Sequence, residues 1–224
     1  FKDVVGHKDI INYIKNAVKM DQISHAYILN GERGAGKKLL AYLFAMTLLC
    51  EKKGPEPCNT CHSCRQAETG NHPDIIRVTH EKPNSISVDD IRDQVNNTIM
   101  IKPYQGPYKI YIIDHADLMT VQAQNALLKT IEEPPQYAVI MLLTENAEVL
   151  LPTINSRCVM LRLRYIKDKL IKKYLMESLK VPDYKADLCT AFAQGNMGHA
   201  IMLANSEHFN EIREEAVHLL RHVH

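Results

Sequence analysis

The chain has 224 residues, 46% of them hydrophobic, enough for one large domain or two small ones around a sizeable core. Its 27 basic and 26 acidic residues leave a net charge of +1 with His neutral, which excludes the strongly basic footprint of a dedicated nucleic-acid binder but not a local patch. No apolar run reaches the roughly 18 residues that span a bilayer, so no membrane-crossing helix is expected.

The N-terminal "FKDVVGHKDI" has neither an initiator Met nor a signal-peptide apolar core, and the chain reads as trimmed and cytoplasmic. Ile10, Ile11, Ile14 and Val18 recur at helical spacing, which predicts a helix over 7–20. "HAYILN" (25–30) is a short apolar run that ends at Gly31 and predicts a buried strand. "KKLLAYLFAMTLLC" (37–50), rich in Leu and Ala, predicts a helix. Four more strands are predicted at 74–80, 108–114, 137–144 and 157–163, separated by helical patterns at 87–98, 117–131 and 147–151. Ser87 followed by Asp90 resembles a capping box. Alternating strand and helix predicts an α/β fold, a parallel sheet covered on both faces. Beyond about residue 165 the strand signal stops. "IKDKLIKKYLMESLK", "DYKADLCTAFAQ", "GHAIMLANSE" and "FNEIREEAVHLLRHV" all read as helices, which places a domain boundary there: 1–165, then a helical domain over 166–224.

Three motifs carry chemistry. "GERGAGKK" (31–38) fits the phosphate-binding loop G-x-x-x-x-G-K-[ST] at Gly31, Gly36 and Lys37, with Gly34 between them. Backbone N–H groups freed by the glycines would cradle an anion at the helix N-terminus, and Lys37 would neutralise phosphates. The last position needs a hydroxyl for magnesium and holds Lys38 instead. "KIYIIDHAD" (109–117) runs apolar residues up to Asp114 at a strand end, the Walker B pattern of a magnesium-holding carboxylate; the water-activating Glu expected next is His115. Cys50, Cys58, Cys61 and Cys64 form C-x7-C-x2-C-x2-C, which lets a loop near 50–66 wrap one zinc ion tetrahedrally and leaves no open position for water. The six cysteines in a reducing compartment point to metal or free thiols before disulfides. His62 and His72 are competing ligands, while Cys158 and Cys189 read as core cysteines. In "INSRC" (154–158), Arg157 taken by itself reads as a surface charge.

"ISHAYILNGERGAGKK", the four-cysteine insert, "NHPDIIRV", "NALLKTIEEPP" (125–135) and "SRC" occur here in the order found in bacterial clamp-loader subunits. The chain therefore resembles, over nearly its whole length, AAA+ proteins that open the sliding clamp of the replicative DNA polymerase, DNA polymerase III. The resemblance implies an AAA+ phosphate-loop domain with an inserted zinc module, followed by a small helical lid. It also implies that Arg157 reaches a neighbouring subunit's nucleotide as an arginine finger. Within the family the departures favour a non-hydrolysing member over a gamma/tau ATPase. Lys38 adds repulsion to the metal, and His115 replaces the catalytic Glu. "GNMG" (195–198) puts Gly198 where gamma carries a sensor arginine. Glu145 puts a carboxylate where related loaders carry a small polar sensor.

Zinc is thus the expected cofactor, and the glycine loop is expected to bind ATP weakly if at all. The implied partners are gamma/tau ATPase subunits, a delta subunit, and through them the sliding clamp and primer-template DNA. Family members carry a helical collar that oligomerises; a chain ending "LLRHVH" (219–224) is expected to lack it and to be monomeric. Two other readings are an active gamma/tau-type ATPase, which the residues at 38, 115 and 198 count against, and a zinc-dependent nucleic-acid-binding module, which the charge balance counts against.

Overall fold

Five parallel strands form one sheet in the order β2-β3-β4-β1-β5, in a computed structural model that describes Phe1 and residues 4–206. The strands are β1 (Ala26–Asn30), β2 (Ile75–Val78), β3 (Lys109–Ile113), β4 (Ala138–Thr144) and β5 (Val159–Arg162). All five sequence-predicted strands are present. The helix expected over 209–223 lies outside the described residues, and no helix among those described is long and apolar enough to cross a membrane.

The central strands are mostly apolar because helices cover both faces, while the edge strands β2 and β5 carry exposed Arg77 and Arg162; the period-2 alternation sorts the apolar residues between two cores. On one face Tyr27, Leu29, Ile110, Ile112 and Met141 pack with Ile14 of α1 (Lys8–Lys19) and with Leu40, Phe44 and Leu48 of α2 (Lys37–Leu49). Phe44 meets the edge of Tyr27 at 5.0 Å between centroids. The other face sets Ile28, Tyr111, Ile113, Ile140 and Leu142 against Ile91 and Val95, and against Leu127 and Ile131 of the helix Val121–Glu132.

Local chemistry explains the element ends. α3 (His62–Glu68) starts at Cys61, whose sulfur accepts from Cys64 N. α4 (Val88–Ile91) starts at a full capping box, Ser87 with Asp90, then passes into a π-helical stretch, Arg92–Asn96. α5 (Val121–Glu132) begins where Thr120 accepts from Ala123 N. The helix expected at 147–151 is a single 3₁₀ turn, Ala147–Val149; a separate short helix α6 (Pro152–Asn155) follows, with Pro152 at its first position, where proline's missing N–H costs nothing.

A second compact unit begins at Tyr165. Its described helices are α7 (Asp168–Glu177), α8 (Asp183–Ala193) and α9 (Met197–Asn205). Lys172 on α7 pairs with both Asp183 and Asp187 on α8, at 2.9 and 2.6 Å. Gly198 lies in the first turn of α9, whose N-cap is Asn196.

Candidate functional site

β4 lies between β1 and β3, so the carboxyl ends of three strands stand side by side. Asn30 pairs in register with Thr144, and Ile113 with Leu142. The residues that follow these ends are Gly31, Glu145 and Asp114, and the carboxyl edge of a parallel sheet is where such folds bind ligands. Two of the loop glycines are required by geometry. A Cβ at Gly31 would sit 2.9 Å from Leu163 Cβ and 3.1 Å from Leu163 O, so the loop can start there only without a side chain. Gly36 has φ +94°, with open space where a Cβ would go; there the backbone conformation alone asks for glycine. Gly34 is also left-handed, at φ 87°.

The polar groups of this loop are engaged with one another. Lys37 Nζ donates to Gly31 O at 2.5 Å and to Glu32 O at 3.0 Å. Burial lowers its pKa, against the opposing pull of the Glu145, Asp114 and Asp117 carboxylates. Lys38 Nζ stands 2.5 Å from Asp114 Oδ2, and His115 Nε2 is 3.5 Å from the same oxygen. Thr144 Oγ1 donates to Asp117 Oδ1 at 3.0 Å, and Glu145 N does so at 3.3 Å. In this arrangement the Asp114 Oδ2 that the Walker B pattern would turn toward magnesium faces an ammonium instead. His7, before α1, reaches the loop too: its Nε2 lies 3.3 Å from Ala35 O, and burial lowers its pKa.

The four cysteines converge at the other end of α2. The Sγ atoms of Cys50, Cys58, Cys61 and Cys64 all lie within 4.8 Å of one another, and those of Cys58 and Cys64 are 4.0 Å apart. Four sulfurs around zinc at about 2.3 Å would stand roughly 3.8 Å apart, so the set fits the ion. The donors around the sulfurs suit thiolates as well. Cys61 N donates to Cys58 Sγ at 3.3 Å, and Cys64 N to Cys61 Sγ at 3.4 Å. Hydrogen bonds from Thr60 bring the Cys58 thiol down to about 5, while burial pushes the Cys64 thiol up. With all four corners supplied by protein, an ion here would be structural.

The two histidines weighed as ligands are absent from this cluster. His72 is buried, with Nε2 2.9 Å from Ser63 Oγ and Nδ1 accepting from Asp74 N at 3.1 Å, while His62 is exposed. Cys189 is buried and Cys158 half-buried, both outside the cluster.

Arg157 follows α6. Its Nη2 is 2.9 Å from Glu132 Oε1 at the end of α5, and its Nη1 donates to Thr153 O at 3.1 Å. The side chain is about two-fifths exposed and is held between these two partners. Asp117, Thr144 and Glu132 went unmarked in the sequence. The only signal for Glu132 is its place in "IEEPP", just ahead of the proline stop.

The family model for "DNA polymerase III, delta subunit" matches residues 6–167. The chain is 35% identical over 216 residues to DNA polymerase III subunit delta' of Bacillus subtilis, covering 96% of this chain and 64% of that protein. It is 34% identical over 211 residues to DNA polymerase III subunit tau/gamma of Haemophilus influenzae, covering 92% of this chain and 30% of that one. A DNA polymerase III gamma subunit-related protein of Thermotoga maritima has a similar fold: TM-score 0.50, 25% identity, 84% of this chain and 58% of that one. The chain thus spans less than two thirds of the length of each of these proteins. The sheet, its glycine loop and the helical region after it form an AAA+ fold, and the chain belongs to the DNA polymerase III delta subunit family of clamp-loader proteins.

Proposed function

We propose that the chain is a delta-prime-type clamp-loader subunit that hydrolyses no ATP itself and supplies Arg157 to a neighbour's nucleotide. The observation that carries the first half is the Lys38–Asp114 ion pair at 2.5 Å, which puts an ammonium where a hydrolytic site needs magnesium. His115 in place of a carboxylate base, Glu145 beside the loop lysine and Gly198 on α9 all point the same way. Arg157 carries the second half. It is surface-placed, and its planar fork is already oriented by Glu132 and Thr153 O. Its target on this reading is a phosphate across a subunit boundary, where a positioned guanidinium stabilises charge on the transferring phosphoryl group. On this reading the partners are gamma/tau ATPase subunits and a delta subunit, with clamp and primer-template DNA engaged through the complex in the cytoplasm. Zinc is the structural cofactor, held by Cys50, Cys58, Cys61 and Cys64. The domain reading, an AAA+ core over 1–165 and a lid from 166, belongs to the same proposal.

A second reading, an active tau/gamma-type ATPase, draws on the near-equal identity to the tau/gamma relative, 34% against 35%. The purified full-length protein separates the two. The proposal expects ATP turnover at background; turnover that Lys37→Ala abolishes would overturn it.

A further inference from the structure

Cys50 and Cys64 are the two buried members of the cysteine cluster, and each follows a residue tied to the same imidazole. Ser63 Oγ donates to Leu49 O at 2.7 Å and lies 2.9 Å from His72 Nε2. The tautomer follows from the third partner. Asp74 N can only donate, so His72 Nδ1 is the acceptor at 3.1 Å, and in the neutral ring the proton sits on Nε2. Nε2–H therefore donates to Ser63 Oγ, and the Ser63 hydroxyl passes its own proton's bond on to Leu49 O. The relay runs from the start of β2, through α3, to the C-terminal end of α2.

Its surroundings are fixed in turn. His72 is 3% exposed, Ser63 6% and Asp74 1%. The Asp74 carboxylate accepts from Tyr104 N, Gln105 N and Gly106 N at 2.5, 2.8 and 2.9 Å. At Gly106 an added Cβ would lie 2.4 Å from Leu49 Cδ2, so that backbone is seated directly on the residue before Cys50. Ser63 N also donates to Glu51 Oε1 at 3.2 Å, on the far side of Cys50. Leu49 and Ser63, the residues just ahead of two ligands 14 positions apart, thus meet in one buried network, with the exposed Glu51 at its edge.

We infer that His72 is a positioning residue for the metal: through Ser63 it fixes the spacing of Cys50 and Cys64 before an ion arrives, and it touches no ligand atom itself. The inference rests on the reading of the four cysteines as a zinc site. It assigns the histidine a role outside the coordination shell, of the kind whose removal typically weakens metal binding about 10–100-fold. Leaving the sulfurs free to spread would raise the cost of gathering them around the ion, while the sheet, neither of whose cores includes a cysteine of the cluster, would stay folded.

The test measures zinc affinity of the full-length protein by competition with a chromophoric chelator, together with melting temperatures in zinc-loaded and chelated states. Wild type is expected to hold one zinc per chain and Cys64→Ser to lose it. His72→Ala should keep the same stoichiometry, bind zinc about 10–100-fold more weakly and release it faster to the chelator. His72→Gln, which keeps an N–H donor near the place of Nε2, should recover part of the loss. A merely structural histidine would behave differently: His72→Ala would lower both melting temperatures alike and leave affinity unchanged. That result would overturn the inference while the zinc site stood. A wild-type protein that binds no zinc would overturn the zinc site and the inference with it. If His72→Ala fails to fold, Ser63→Ala removes the middle of the relay with one hydroxyl, and unchanged zinc affinity in that variant overturns the inference equally.

Discussion

The two ends of α2 make opposite uses of charge. At its N-terminus, the loop inherits the backbone of a phosphate site, yet its charged side chains pair with one another: Lys38 with Asp114, and Lys37 with loop carbonyls among three carboxylates. At its C-terminus, four thiols converge within 4.8 Å, with backbone N–H groups turned toward two of the sulfurs. One end supplies its own cation, and the other is arranged to receive one. A ligand site is kept by the groups left unmatched, and backbone shape outlasts them because it also holds up the fold. Gly31 must stay small to pass Leu163 whether or not a phosphate ever sits beside it.

The contrast can be broken most severely at the cysteine end. Cys64→Ser should reduce bound zinc from one equivalent to well under one by metal analysis, removing a contribution of order 10 kcal/mol to the local fold. Hydrogen exchange should then rise over 51–66 and stay unchanged in β1, β3 and β4, whose two cores lie outside the cluster. A global loss of protection would show that the sheet depends on the metal.

Arg157→Ala comes next. In the reconstituted loader it should slow hydrolysis at one adjacent ATP site by about 10³–10⁵-fold and impair clamp loading. The isolated chain should lose no more than about 1 kcal/mol of stability, since the Glu132 pair is exposed. Arg157→Lys should resemble Ala, because an ammonium keeps the charge and loses the fork. Wild-type turnover by the Ala variant, with assembly verified, would return Arg157 to an ordinary surface charge.

Lys38→Thr sharpens the loop half of the comparison. It restores a hydroxyl and frees Asp114, yet ATP turnover should remain at background because His115, Glu145 and Gly198 stay in place. The lost ion pair has a lysine 72% exposed, so stability should change by less than about 1 kcal/mol. Turnover in this single variant would mean that one lysine alone silences the site.

The smallest effect is a pH slope. Burial lowers the His7 pKa below its ordinary 6.5, so the folded chain binds fewer protons than the unfolded chain between the two values. The stability His7 contributes is complete above about pH 6.5 and is lost as pH falls from there through its folded pKa. Melting temperature should therefore drop from pH 7 toward 5, and drop less in His7→Gln; equal slopes in the two proteins would rule His7 out as a source.

The strands were legible because covering both faces of a parallel sheet forces continuous apolar runs, and "AYILN", "KIYII" and "AVIMLLT" are such runs. The helix at 147–151 was misread because its apolar residues pack onto the sheet core through a 3₁₀ turn and a proline-started helix, neither long enough to have a period. α3 was hidden because seven residues carry too little pattern, and its start depends on the Cys61 sulfur acting as a cap. In the site, the cysteines were legible from spacing alone. The partners of Asp114 and Arg157 were not, because Lys38 and Glu132 reach them only through the order of strands and the packing of helices. For the same reason His72 was weighed as a ligand: its type is visible in the sequence, and its hydrogen bond to Ser63 is not.

The Arg157–Glu132 contact has a thermodynamic side of its own. A free arginine carries about 2 kcal/mol of rotamer entropy, which it must give up whenever it is fixed on a target. Here much of that ordering is already present in the single subunit, through one carboxylate and one carbonyl at the protein surface. In the proposed role, exchanging Glu132 for a phosphate would swap one oxyanion for another. The resting pair would then act as a rehearsal of the bound state, and its weakness, at most about 1 kcal/mol for an exposed bridge, would keep the exchange reversible on every cycle.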